Sequence, residues 1–252
     1  MEKNWWMPLY GILFGIYVPE EVRELKGDVV MHIADTPSTV YGAIRRLVKV
    51  LSPRWIVHTG DLADDVKLEL SPAELPRYRS KLENLRRALE GDDSQGLVIV
   101  TGNHDNERAV REMFPKSIVF RERGRIELCG EGFNLSHDRA GLGDPPLKYN
   151  LFGHEPSRND FSEQGRFFLN GLLGVHIISP SLEKVYCLPY PGYVDDGRLG
   201  EKKGIVTKRG ESRAFHRPGR TPSSAAERER GRNEVSGFFA VHVYRTYPGR
   251  CF

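Results

Sequence analysis

The chain is poor in cysteine, with three in 252 residues. Cys129, Cys187 and Cys251 are odd in number and far apart, with no metal-knuckle spacing. That argues against a disulfide framework and for a reducing, cytoplasmic setting. An apolar run long enough to span a bilayer is missing as well. The N-terminal stretch "NWWMPLYGILFGIYVP" is broken by Pro8, Gly11 and Gly15 and falls short of the roughly 20 residues a spanning helix needs. It also lacks the basic start and small-residue cleavage site of a signal peptide. Residues 1–27 therefore read as an apolar arm that packs on the domain or joins copies into a homo-oligomer, with peripheral membrane contact as the other use of an aromatic edge.

Strong net charge is absent too: the total is +3. Residues 208–232 carry eight Lys and Arg against Glu211, Glu227 and Glu229, so the rest of the chain is slightly acidic. No basic face for nucleic acid shows outside that segment. Residues 208–234 read as a mobile, basic surface loop rich in Gly, Pro, Ser and Arg. A solvated segment is the plain reading, and an arm that draws nucleic acid or another phosphate-rich partner is the sharper one. No internal repeat is present. Composition, 39% hydrophobic and 28% charged, is that of one globular domain over 1–252 rather than of a disordered chain.

What is present is ordered. "DVVMHIA" (28–34), "RWIVHTGD" (54–61) and "LVIVTGNHD" (97–105) are short apolar runs that each end in polar groups, as buried strands do at a ligand site. Between them, residues 38–51 place Val40, Ile44, Leu47, Val48 and Leu51 on one helical face, and residues 71–90 do the same with Leu75, Tyr78, Leu82, Leu85 and Leu89. Strand–helix–strand order implies parallel pairing, with chemistry at the carboxyl ends of the strands. Beyond residue 117 the runs "SIVF", "RIELC", "FNLSH", "YNLFGH", "GVHIISP", "KVYCLPY" and "GFFAVHVYR" are shorter and β-like. They suggest a second, mixed sheet facing the first.

The polar clusters at those ends hold Asp35, then Asp61 and Asp64 in "GDLAD", then Asn103, His104 and Asp105 in "GNHD", with His137 and His154 downstream. Carboxylate, amide and imidazole together suit a divalent ion such as manganese, iron or zinc. Singly, each has a bland use: Asp35 as a helix cap, Asn103 as a turn cap. His32 and His58 each lie three residues before a candidate ligand and read as core histidines, and His176 and His242 as packed or surface residues. His216 lies in the basic loop and takes no role.

This ordered set resembles the calcineurin-like metallophosphoesterase superfamily, whose pattern is Asp-x-His, Gly-Asp-x-x-Asp, Gly-Asn-His-Asp/Glu, a lone His, then Gly-His-x-His. The resemblance covers residues 28 to about 156. It implies an α+β fold, a four-layer α/β/β/α sandwich of two mixed sheets. It also implies hydrolysis of a phosphate mono- or diester by a metal-bound hydroxide. By position, Asp61 would bridge two ions, Asp35 would serve the first, and Asn103, His137 and His154 the second. His104 would stabilise or protonate the leaving oxygen, with Asp105 orienting its ring, and Asp64 would support the ligands from behind.

Two positions depart from that pattern. Pro37 and Pro156 stand where the family has histidines, both of them ligands of the first ion. The expectation is a lopsided centre, with one tight divalent ion, Mn²⁺ first and Fe, Zn or Mg after it, and a second that is weak or absent. Glu155, between His154 and Pro156, is the substitute to consider, and its side chain is expected to point away. The competing expectations are a scaffold protein that kept the fold without turnover, and a nuclease guided by 208–232.

Overall fold

The computed structural model describes residues 15–91, 95–156, 159–198 and 242–243. The basic loop 208–234, Cys251, His216 and the first fourteen residues of the arm lie outside them. Within them the chain builds α1 (Glu20–Arg23), β1 (Val30–Ile33), α2 (Tyr41–Leu51), β2 (Trp55–His58), α3 (Leu75–Leu89), β3 (Gly96–Thr101), α4 (Glu107–Met113) and β4 (Ile118–Arg121). Then follow β5 (Arg123–Leu128), β6 (Glu131–Ser136), β7 (Tyr149–Phe152), β8 (Phe161–Glu163), β9 (Arg166–Asn170), β10 (Gly174–Ser179), β11 (Lys184–Pro189), α5 (Tyr193–Arg198) and β12 (His242–Val243).

Two mixed sheets result, in an α+β fold, as the sequence leads one to expect. One has seven strands in the order β12-β11-β10-β1-β2-β3-β4, the other five in the order β5-β6-β7-β9-β8. Strands β1, β2, β3 and β4 run parallel to one another, so the carboxyl ends of β1, β2 and β3 open on one edge. Strands β6 and β7 are also parallel, which puts the residues after them, His137 and Gly153-His154, side by side.

Side-chain alternation sorts the core into two clusters. Val30, Val57, Val98, Val100 and Ile178 face Phe133, Leu135, Tyr149, Leu151 and Leu169 between the sheets. On the other face, Met31, Ile33, Ile56 and Ile99 pack beneath all five helices, which contribute Val22, Ile44, Leu47, Tyr78, Leu82, Val110 and Val194. The two long helices follow their apolar stripes, each preceded by a 3-10 turn, Ser38–Val40 and Pro72–Glu74.

Two assignments differ from the sequence reading. Helix α4 was not anticipated; Asn106 starts it by accepting the Ala109 N–H at 2.9 Å, a cap that a seven-residue helix needs. Strands β4, β10, β11 and β12, expected in the second sheet, belong to the first. β10 pairs antiparallel with β1, and all six of its residues are buried, as a central strand between two layers requires. Of the described part of the arm, Ile16, Val18 and Val22 join the helix-side core, in line with the packed-arm reading.

Candidate metal centre

The candidate ligands follow five strands, and three of these residues sit in left-handed backbone. Asp35, Asp61 and His154 have φ of 49°, 53° and 51°, a conformation that costs a non-glycine residue free energy and that clusters at working sites. The loops brace each other. The Asp35 N–H donates to Gly60 O at 3.0 Å and the Thr36 N–H to Asp61 O at 3.1 Å. Glycine is required where they close in. Gly60 has φ 102°, and a Cβ there would stand 2.3 Å from His137 Nδ1; a Cβ on Gly153 would stand 2.4 Å from Asp35 Oδ2.

The side chains converge. Asp35, Asp61, His137 and His154 each offer a ligand atom, all within 4.8 Å of one another. His137 Nε2 is 3.6 Å from Asp61 Oδ1, and His154 Nδ1 is 3.7 Å from Asp35 Oδ1 and 3.9 Å from Asp61 Oδ2. Asn103 Oδ1 stands 3.0 Å from His137 Nε2. Ligand atoms about 2.1 Å from a common ion sit roughly 3 to 4 Å apart, so these spacings fit one cation. All five residues named from the sequence therefore meet at one place.

The protonation pattern fits a cation too. His137 Nδ1 is 2.9 Å from the Thr59 carbonyl, which can only accept, so Nδ1 carries the proton. Its Nε2 faces Asn103 and Asp61. Asn103 cannot turn its NH₂ inward, because its Nδ2 donates to Glu69 Oε2 at 2.5 Å. Asp61 Oδ1 accepts the His104 N–H at 3.1 Å, while the buried Oδ2 has no hydrogen-bond partner. An unpartnered buried carboxylate oxygen is costly unless a cation meets it.

The electrostatics agree. Burial pushes Asp61 well up, and the nearby Asp105, Asp35 and Asp64 carboxylates push it further. Burial works in the same sense on Asp35, but the His154 ring and N–H, His137 and Arg198 outweigh it and hold its carboxyl below the usual range. Asp64 is raised to about 6, first by burial, despite its ion pair with Lys67. It stands with Asp61 and His104 in a second tight group. Burial, then Lys67, lowers His104 to about 4, so its ring is neutral at neutral pH.

One expected contact is not made. The Asp105 carboxylate does not orient His104, whose Nδ1 has no hydrogen-bond partner. Both of its oxygens are used elsewhere. Oδ2 accepts from the Asp61 and Gly102 N–H groups, each at 2.8 Å, and Oδ1 from the Leu62 N–H at 2.9 Å and the Tyr78 hydroxyl at 2.7 Å. Asp105 ties the "GD" loop to the "GN" loop, which is a structural task.

The remaining histidines sort as their positions suggest. His32 and His58 are fully buried and hydrogen-bond Thr59 and Thr36 hydroxyls, each at 2.9 Å. His176 is buried against Asp160 at 2.8 Å. Pro37 is buried and begins the 3-10 turn, while Pro156 is exposed; neither has a donor atom. Glu155 joins none of the clusters of potential ligands among the described residues. Lys67, Glu69, Tyr78 and Arg198 were not singled out from sequence. The first two lie just past "GDLAD" and could have been suspected, but Tyr78 reads as plain helix core and nothing in the local pattern marks Arg198.

A family model for calcineurin-like phosphoesterase matches residues 29–240. Among solved structures, the chain is similar to a novel archaeal phosphodiesterase, at 14% identity over 62% of this chain and 96% of that one, with TM-score 0.41. It is also similar to Yfce, a phosphoesterase from E. coli, at 15% identity over 65% and 100%, TM-score 0.40. A third is vacuolar protein sorting 29 from Cryptosporidium parvum, at 19% identity over 57% and 74%, TM-score 0.35. No curated protein matches the chain. Among the described residues, no helix is long and apolar enough to cross a membrane.

Proposed function

Because the chain belongs to the calcineurin-like phosphoesterase family, we propose that it hydrolyses a phosphate mono- or diester with one divalent cation held by Asp35, Asp61, Asn103, His137 and His154. The observation that carries this reading is the convergence of ligand atoms from Asp35, Asp61, His137 and His154, with the buried Asp61 Oδ2 left without a hydrogen-bond partner. Three oxygen residues and two imidazoles favour Mn²⁺, with Fe, Zn or Mg as substitutes. Such an ion, when bound, supplies a Lewis acid for a phosphoryl oxygen and activates water.

The chain's own groups do the positioning. The Thr59 carbonyl fixes the His137 tautomer, and Glu69 fixes the Asn103 amide. Asp105 locks the two loops at the spacing the ligands need. His104, with its backbone N–H on Asp61 Oδ1 and a neutral ring beside the same cluster, is the group to hydrogen-bond the charge that develops on the leaving oxygen. Its depressed pKa favours stabilisation of that charge over proton delivery.

The test is turnover of p-nitrophenyl phosphate and bis-p-nitrophenyl phosphate with Mn²⁺, Fe²⁺, Zn²⁺ or Mg²⁺. Turnover should vanish in Asp61→Asn and fall by roughly 10²–10⁴ in His104→Ala. Metal binding without turnover of either ester would instead support a binding or scaffold role.

A further inference from the structure

Arg198 is buried to 9% exposure at the end of α5. Its Nε donates to the Asp35 carbonyl at 2.8 Å, Nη1 to the Leu172 carbonyl at 2.9 Å, and Nη2 to the Ala34 carbonyl at 3.4 Å. The guanidinium lies 4.8 Å over the Tyr190 ring. Among the described residues its one ion pair is with Asp195 on its own helix, whose side chain is 76% exposed and so offers a screened charge. Taking an arginine out of water is expensive unless negative charge meets it. The carbonyls solvate the guanidinium, and the unpaired negative charge lies at the metal centre, on whose first ligand, Asp35, it sits.

Asp35, Asp61, Asp64 and Asp105 are close enough for each of the others to act on Asp61. Lys67 pairs with Asp64, and Arg198 acts on both Asp35 and Asp64. Pro37 and Pro156 bring no donor for a second ion.

We propose that Arg198 stands in for a second divalent ion: a guanidinium fixed in the protein supplies the positive charge on the Asp35 side and limits the centre to one bound cation. The proposal rests on the reading of the cluster as a cation site. Arg198 is a positioning residue, since backbone carbonyls and Asp195 hold it away from any substrate role.

The experiment counts Mn²⁺ per chain by elemental analysis after dialysis against rising free Mn²⁺, up to millimolar, with a thermal melt at each step. Wild type and Arg198→Lys should hold one ion throughout. Arg198→Met should take up a second and show a second Mn²⁺-dependent rise in melting temperature. Two ions in the wild type, or one in a folded Arg198→Met, overturns the proposal and leaves the phosphoesterase reading standing. If Arg198→Met does not fold, the wild type and Arg198→Lys decide it, and a second ion in either overturns it. No ion in the wild type overturns both.

Discussion

His137 Nε2 and Asn103 Oδ1 face each other at 3.0 Å. Each is turned inward by a partner behind it, the Thr59 carbonyl for His137 and Glu69 for Asn103. Glu69 is half exposed and contributes no ligand atom, so its effect on a cation would be indirect. Glu69→Ala should release the Asn103 amide to flip and weaken Mn²⁺ binding by about 10-fold, the low end for a group that orients a ligand. Asn103→Ala should cost more. Calorimetric Mn²⁺ titration of both variants checks the order; equal affinity in Glu69→Ala and wild type would show that the amide is held some other way.

Asp61 is poised for a cation at the expense of the metal-free fold. Its Oδ2 is buried without a partner, and three carboxylates surround it. In Asp61→Asn the amide oxygen can keep the His104 N–H, and the NH₂ takes the place of Oδ2, toward His154. The variant should bind no Mn²⁺, yet in EDTA it should be the more stable protein by about 1 kcal/mol, or some 2–4 °C at this size. In the wild type, saturating Mn²⁺ at 100 times its Kd should add about 2.7 kcal/mol. Melting curves with EDTA and with Mn²⁺ give both numbers, and an EDTA-treated variant less stable than wild type would refute the first.

Asp105 looked catalytic in sequence and is architectural in the structure. Four donors from Asp61, Leu62, Gly102 and Tyr78 converge on its carboxylate. Asp105→Ala leaves them buried and unpaired and should cost about 3–5 kcal/mol. Tyr78→Phe removes one donor and should cost about 1 kcal/mol. Urea unfolding separates this from a role on the His104 ring, because an orienting role would lower turnover in Asp105→Ala without a stability loss of that size.

The sequence made the candidate ligand set legible because each of its residues follows an apolar strand, and parallel strands must bring their carboxyl ends to one edge. The glycines before Asp61, Asn103 and His154 belong to the same signal, since close approach of backbone to ligand forbids a Cβ. What it hid is equally physical. β10 and β11 read as apolar strands, and a strand buried on both faces fits either sheet until its partner β1 is known. Arg198 meets Asp35 across 163 positions, and no periodicity encodes a contact of that span. Asp105 differs from its expected role because a carboxylate beside a histidine looks the same in sequence whether it faces the ring or the backbone behind it.

His176 offers a test of the fold at a distance from the ligands. It is fully buried, and burial alone would lower its pKa, but the Asp160 carboxylate at 2.8 Å, with Cys187, raises it to about 10. The folded protein therefore holds a proton that the unfolded chain, with an ordinary value near 6.5, releases earlier. The stabilisation is fully present below about pH 6.5 and is lost as pH rises toward about 10. Between those limits the pair should make stability fall by up to about 1.4 kcal/mol per pH unit. His176→Gln cannot titrate and should lack that slope. Denaturant melts of both proteins at intervals from pH 6 to about pH 10 isolate the difference, and parallel curves would mean that His176 is neutral in the folded protein and the ion pair with Asp160 is not formed.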